Sequence, residues 1–196
     1  MNERIKLKGM LYFTLSYLLL FTVISVYKRN YEFLYYTIIM STLIVMIILY
    51  HKKLHLTTGI WGSLTIVGAL HIFGGNIILN STRLYDTWLI KGLLRYDHVV
   101  HFLAIFVATL IAYSLLSPHL KKELESNRFL LSLILILIAL GLGAVIELIE
   151  LFSSVFLNAA EQVGDYLNNA LDILFNLLGA VAACFYLMYY HKRKKH

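Results

Sequence analysis

Gly164-Asp165-Tyr166-Leu167-Asn168-Asn169-Ala170-Leu171-Asp172-Ile173-Leu174-Phe175-Asn176-Leu177-Leu178-Gly179 opens the last apolar run of the chain. That run continues to Tyr190 and ends in a basic tail, His191-Lys192-Arg193-Lys194-Lys195-His196. A run of this length and polarity is a membrane helix. Asp165, Asn169, Asp172 and Asn176 recur by four, three and four, so on a helix they form one polar stripe. The stripe climbs about 16 Å, which carries it into the hydrocarbon layer. Carboxylates at that depth face a bundle interior, a cavity or a cation. The stripe therefore predicts helices packed around it.

Composition agrees. The chain has 196 residues, 60% of them hydrophobic and 14% charged, which excludes an ordinary soluble domain. Six apolar runs, at about 9–27, 31–50, 57–80, 97–117, 129–152 and 166–190, each have the roughly 18–25 residues that cross a bilayer. The expectation is an all-α polytopic membrane protein, a bundle of about six transmembrane helices, with residues 1–196 forming a single transmembrane domain. The first run lacks a small-residue cleavage site and reads as a retained helix. The one cysteine, Cys184, excludes an intrachain disulfide.

The net charge of +6 is explained by orientation in the membrane and does not call for nucleic acid as a partner. Arg4, Lys6, Lys8, Lys52, Lys53, Lys121, Lys122, Arg128 and the tail lie on one side of the six runs. Only Lys28, Arg29, Arg83, Lys91 and Arg95 lie on the other. The bias predicts cytoplasmic termini. Segment 81–96 mixes aromatic, aliphatic and basic residues, which predicts a short interfacial helix with Tyr85 and Trp88 at headgroup level.

On this topology the polar residues gather in the outer half. Asp97 and His101 open the fourth run four residues apart and share a helix face, with His98 about a quarter-turn away. A dipole-stabilised carboxylate beside an interfacial histidine is the plainer account of that pair. Glu147 and Glu150 close the fifth run on one face, and two such carboxylates require a cation or a shared proton. Alternatively, Glu150 simply reaches the headgroups. In the third run His71 precedes Gly74-Gly75, a pair that lets another helix approach or loosens the span. His71 itself fits an interhelical hydrogen bond better than a ligand. No lysine or arginine lies within these spans, and Arg83 and Arg95 are the nearest cations.

These residues predict a pocket with Asp97, His101, Asp165 and Asp172 as ligands of a divalent metal. Glu147 and Glu150 are the candidate catalytic bases, and His71, Asn169 and Asn176 stand behind them. Mixed carboxylate and imidazole donors suit Zn, Mn, Fe or Mg. Three functions fit: a metal-dependent enzyme acting on a lipid or lipid-linked envelope precursor, a cation or proton transporter, and an accessory protein whose polar residues tie helices together. The polar groups cluster in one half of the spans, which favours the enzyme over a transmembrane path. No Ser or Cys nucleophile with a paired base, P-loop or lipid-phosphatase motif is present.

From His71 to Gly179 the chain resembles the YjdF-like group, an uncharacterised family of bacterial inner-membrane proteins, and more distantly the VanZ-like proteins linked to glycopeptide resistance. The resemblance rests on His71 with Gly74-Gly75, Tyr96-Asp97 with His101-Phe102, Glu147 with Glu150, and Gly164-Asp165 with Asp172 leading to Gly179-Ala180. It implies a multi-span fold in the bacterial inner membrane with a polar site, and no established reaction. Leu151 stands where that family tends to have Trp, and Asn168 where it tends to have an acid, so this site is one carboxylate poorer.

Overall fold

Helices account for almost all of the computed structural model, which describes residues 2–54, 56–157 and 166–194. In chain order they are α1 (Glu3–Lys28), α2 (Tyr31–Leu54), α3 (Thr58–Asn76), α4 (Tyr96–Leu116), the short α5 (Lys122–Ser126), α6 (Arg128–Leu157) and α7 (Tyr166–Lys194). All but α5 are long and apolar enough to cross a membrane. The all-α, six-span expectation holds. Helices α1 and α6 run past the hydropathy limits: α1 begins at Glu3, where the Asn2 side chain accepts the Arg4 N–H, and α6 reaches Leu157, whereas α3 stops at Asn76, short of the expected 80, because the chain turns extended at Ile78. Helical hydrogen bonding continues into polar flanks that a hydropathy window excludes.

Polarity is arranged as a bilayer requires. Leu19, Ile38, Leu49, Leu137 and Phe185 point outward and exposed, whereas the polar side chains of His98, His101, Asp172 and Asn176 are buried. The most extensive helix contact joins α4 to α7. Gly179 makes it: a Cβ there would lie 2.3 Å from the Phe102 carbonyl oxygen. Ala180 and Ala183, both fully buried, continue the seam beside Ile105 and Val107. Small residues replace hydrophobic driving force with close van der Waals packing. Gly143 does the same for α6 against α7, because a Cβ would meet the Asn176 side chain at 2.8 Å.

Helix α1 packs on α3 through Tyr17, Leu18, Phe21, Ala69 and Ile72. A buried tie reinforces the pair, with the Ser25 hydroxyl donating to Asn76 Oδ1 at 2.7 Å. The Gly74-Gly75 pair has a different purpose from helix–helix approach. It makes room for two rings, Tyr85 over Gly74 and Phe33 over Gly75.

Segment 81–96 is not a helix. Strands β1 (Ile78–Leu79) and β2 (Thr82–Arg83) form one hairpin, and β3 (Trp88–Ile90) and β4 (Leu94–Arg95) a second, joined by a 3-10 turn at Leu84–Asp86. Asn80 and Ser81 adopt φ of 49° and 65°, and Gly92 a φ of 76°. Such left-handed turn residues build tight hairpins and interrupt helices, which is why the mixed composition misleads. Trp88 is exposed as expected, but Tyr85 turns inward and is buried. Arg83 fastens the first hairpin to α2, donating to Asp86 at 2.9 Å and pairing with Glu32 at 3.1 Å. Burial opposes its charge, but Asp86 and Glu32 outweigh that, and its pKa is raised.

Candidate functional site

His101 lies at the centre of the site, projecting from the second turn of α4 and almost completely buried. Its Nε2 has three carboxylate oxygens around it: Asp97 Oδ1 at 3.5 Å, Glu150 Oε1 at 3.7 Å and Asp172 Oδ1 at 4.0 Å. Its Nδ1 lies 3.3 Å from Asn176 Oδ1 and 3.9 Å from Glu147 Oε1. Three helices supply these groups, each by ordinary helical spacing. Asp97 and His101 are one turn apart on α4, Glu147 and Glu150 one turn apart on α6, and Asp172 and Asn176 one turn apart on α7.

With Asn176 Oδ1 facing it, Nδ1 donates there, and Nε2 faces the three carboxylate oxygens either as a second donor or as a lone pair. Like-charged oxygens at this range in a low-dielectric interior repel strongly unless a cation intervenes. Asp97, His101 and Asp172 each offer a ligand atom, all within 4.8 Å of one another. That widest gap is about twice a metal–ligand bond of ~2.1–2.5 Å, so the three atoms can share one ion.

Unpaired buried atoms lie at the same place. Asp172 Oδ1, both oxygens of Glu147, Asn176 Nδ2 and His98 Nε2 lack a hydrogen-bond partner among the described residues. Buried polar atoms are normally satisfied, so this many orphans in one site calls for an unseen ion or water.

A further set of residues, which the spacing argument passed over, positions the acids. His98 is fully buried and stacks on Phe175 with ring centroids 4.7 Å apart. Its Nδ1 accepts the Arg95 backbone N–H at 3.1 Å, so the neutral ring bears its proton on Nε2, 3.9 Å from Asp172 Oδ1. His98 therefore does not turn away from the site: both histidines approach Asp172. Asn168 donates to Asp172 Oδ2 at 2.8 Å and accepts from the Arg95 guanidinium at 2.7 Å. Arg95 in turn lies over the Trp88 ring at 4.6 Å. The inward stripe of α7 is thus Asn168, Asp172 and Asn176, stepping by four.

Asn169 sits one residue off that line, half-buried, with its Oδ1 unpaired. Asp165 lies outside the described residues. His71 stands in the adjoining wall as a hydrogen bonder, its Nδ1 2.5 Å from the Tyr85 hydroxyl. Burial, with the Asp97 and Glu150 charges beside it, pushes the Tyr85 phenol well above its ordinary pKa. Tyr85 therefore keeps its proton and donates it to His71. Tyr36 and Ser153 close the edge with a 2.9 Å hydroxyl pair. The two flanking arginines are committed elsewhere, Arg83 to Glu32 and Asp86, Arg95 to Asn168 and Trp88.

Neither a curated protein nor a solved structure matches the chain. One family model does, over residues 9–193, and it describes a predicted membrane protein family, DUF2238. The match takes in every helix that builds the site, and the chain belongs to this family of multi-span membrane proteins.

Proposed function

We propose that this protein is a metal-dependent membrane enzyme acting on a lipid or lipid-linked envelope precursor. In this reading it sits in the bacterial inner membrane with both termini cytoplasmic and the site towards the outer leaflet. The YjdF-like resemblance, with its distant VanZ-like relation, fits that placement. One observation carries the reading: His101 Nε2 and oxygens of Asp97, Glu150 and Asp172 converge in a buried site, and ligand atoms of Asp97, His101 and Asp172 lie within 4.8 Å of one another.

The residues divide the work. Asp97, His101 and Asp172 hold the ion in this reading, with Asp165, outside the described residues, as a further ligand. Asn176 orients His101 through Nδ1, while Asn168 and His98 hold Asp172, as outer partners do at metal sites. When bound, the metal supplies Lewis acidity and lowers the pKa of water. Glu147 and Glu150 lie within 4 Å of His101 and are the proposed acceptors of a proton from an attacking water. The product's leaving oxygen then receives a proton from the same carboxyl, so a hydrolysis balances.

A proton on His101 is the competing occupant, and it belongs to the accessory reading. Metal analysis and a melting curve on wild type and Asp172→Asn separate the two. The metal reading expects about one divalent ion per chain, lost in Asp172→Asn together with thermal stability, because binding to the folded state is linked to folding. Metal-free wild type with unchanged or higher stability in Asp172→Asn would refute it, since a neutral amide is cheaper to bury than an unpaired carboxylate.

A further inference from the structure

A cavity of about 520 Å³ opens beside the site, between α2 on one side and α1, α3, α4 and α6 on the other. Its polar end is Tyr36, His71, Tyr85, His101 and Glu150. From there it runs along the spans between Met40, Ile44, Ile48, Trp61, Leu64 and Ala104, without a charged group on the way. Trp61 lies in the first turn of α3 and His71 near its end, so the cavity leads from the site towards the opposite membrane face. The twelve helical rises of α2 from Tyr36 to Ile48 give it a length of about 18 Å.

We propose that this groove is the subsite for one acyl chain of a bilayer lipid, bound with its ester end at His101 and Glu150 and its methyl end near Trp61. The groove's depth and its length select that occupant. The groove lies at hydrocarbon depth and is apolar, so water does not fill it. Its length slightly exceeds half of a ~30 Å hydrocarbon layer, the reach of one leaflet's chains, whereas a polyprenyl carrier is much longer. The polar end gives the chain its direction, because an ester or phosphate oxygen is the part of a lipid that a cation at His101 would attract. The inference thus rests on the metal reading for the headgroup's position, while the chain's site rests on the groove alone.

Trp61 is a built-in reporter, since only it and Trp88 are tryptophans and Trp88 lies in the outer hairpin. The Trp88→Phe protein is reconstituted in phosphatidylcholine vesicles carrying a small fraction of lipid brominated either near the ester or near the terminal methyl. Ordinary leaflet lipids beside Trp61 present their ester ends to it and quench it best with ester-end bromine. A chain in the groove presents its methyl end, so methyl-end bromine should quench roughly twofold more, since contact at ~4 Å replaces a more distant average. The quenching should also saturate with lipid fraction, and Ala104→Phe, which fills the groove, should abolish the preference. Stronger quenching by ester-end bromine, rising in proportion to lipid fraction, overturns the proposal even if Ala104→Phe fails to fold. Metal content is measured on wild-type protein in the same vesicles, because Trp88 carries Arg95 beside the site. Methyl-end quenching without metal keeps the groove and removes the metal centre, while metal with ester-end quenching does the reverse.

Discussion

His101 and Asp172 are 71 positions apart in sequence, yet Nε2 of one lies 4.0 Å from Oδ1 of the other, and both side chains are buried. Nothing in either helix alone brings them together. The contact exists because Gly179, two turns beyond Asp172, lets α7 lie directly on the α4 backbone at Phe102. Site and seam are consecutive parts of one interface.

That dependence makes Gly179→Leu severe. The new side chain must displace the Phe102 carbonyl, and overpacking of this kind costs about 3 kcal/mol or more where backbone has to move. A large drop in melting temperature in detergent is expected, with any metal lost as well. Unchanged stability would show that α4 and α7 are farther apart in the membrane than the Gly179–Phe102 approach requires.

Tyr85→Phe probes the hairpin. It deletes the donor to His71 Nδ1 and leaves a buried acceptor unpaired, at a cost of about 1–3 kcal/mol. Because His71 is not a ligand in this reading, the variant should lose stability and keep its metal. Metal loss on this change would move His71 into the coordination set.

Glu147→Gln distinguishes the two glutamates. Both Glu147 oxygens are unpaired, and its closest approach to His101 is to Nδ1, away from the converging oxygens. Activity on the substrate should fall at least about 100-fold if it is the base, with metal retained. Glu150→Gln touches the Nε2 side and should weaken metal binding too. Equal metal loss in both variants would make Glu147 a ligand.

Reporter fusions test orientation. Fusions after Leu120 and at the C-terminus should report cytoplasm, and fusions near Leu84 or Asn158 the outside. A cytoplasmic signal at residue 158 would mean that α6 does not cross, and the outer placement of the site would fall.

The fold was largely legible in the sequence, because lipid solvation leaves long apolar runs few alternatives to spanning helices. Five site residues were legible for a similar reason: Asp97, His101, Glu147, Glu150 and Asp172 are ionisable groups where apolar ones are expected. His98, Asn168 and Arg95 were not. Each sits in or beside the first turn of a helix, where polar residues are ordinary and carry no signal. Counting the α7 stripe from Asp165 gave Asn169, whereas the four-step set Asn168, Asp172 and Asn176 was available and faces inward. The hairpins were hidden because the left-handed backbone at Asn80, Ser81 and Gly92 leaves little trace in the composition of segment 81–96.

Arg95 holds the cover and the chemistry together. Its backbone N–H sets the proton of His98, and its guanidinium holds Asn168, which holds Asp172, while its other face carries Trp88 of the second hairpin. Lifting that hairpin would therefore release the hydrogen bonds that hold Asp172. A molecule entering from the water side would meet a site already coming apart. One sliding in sideways from the bilayer would reach Glu150 and His101 with every one of those bonds still made.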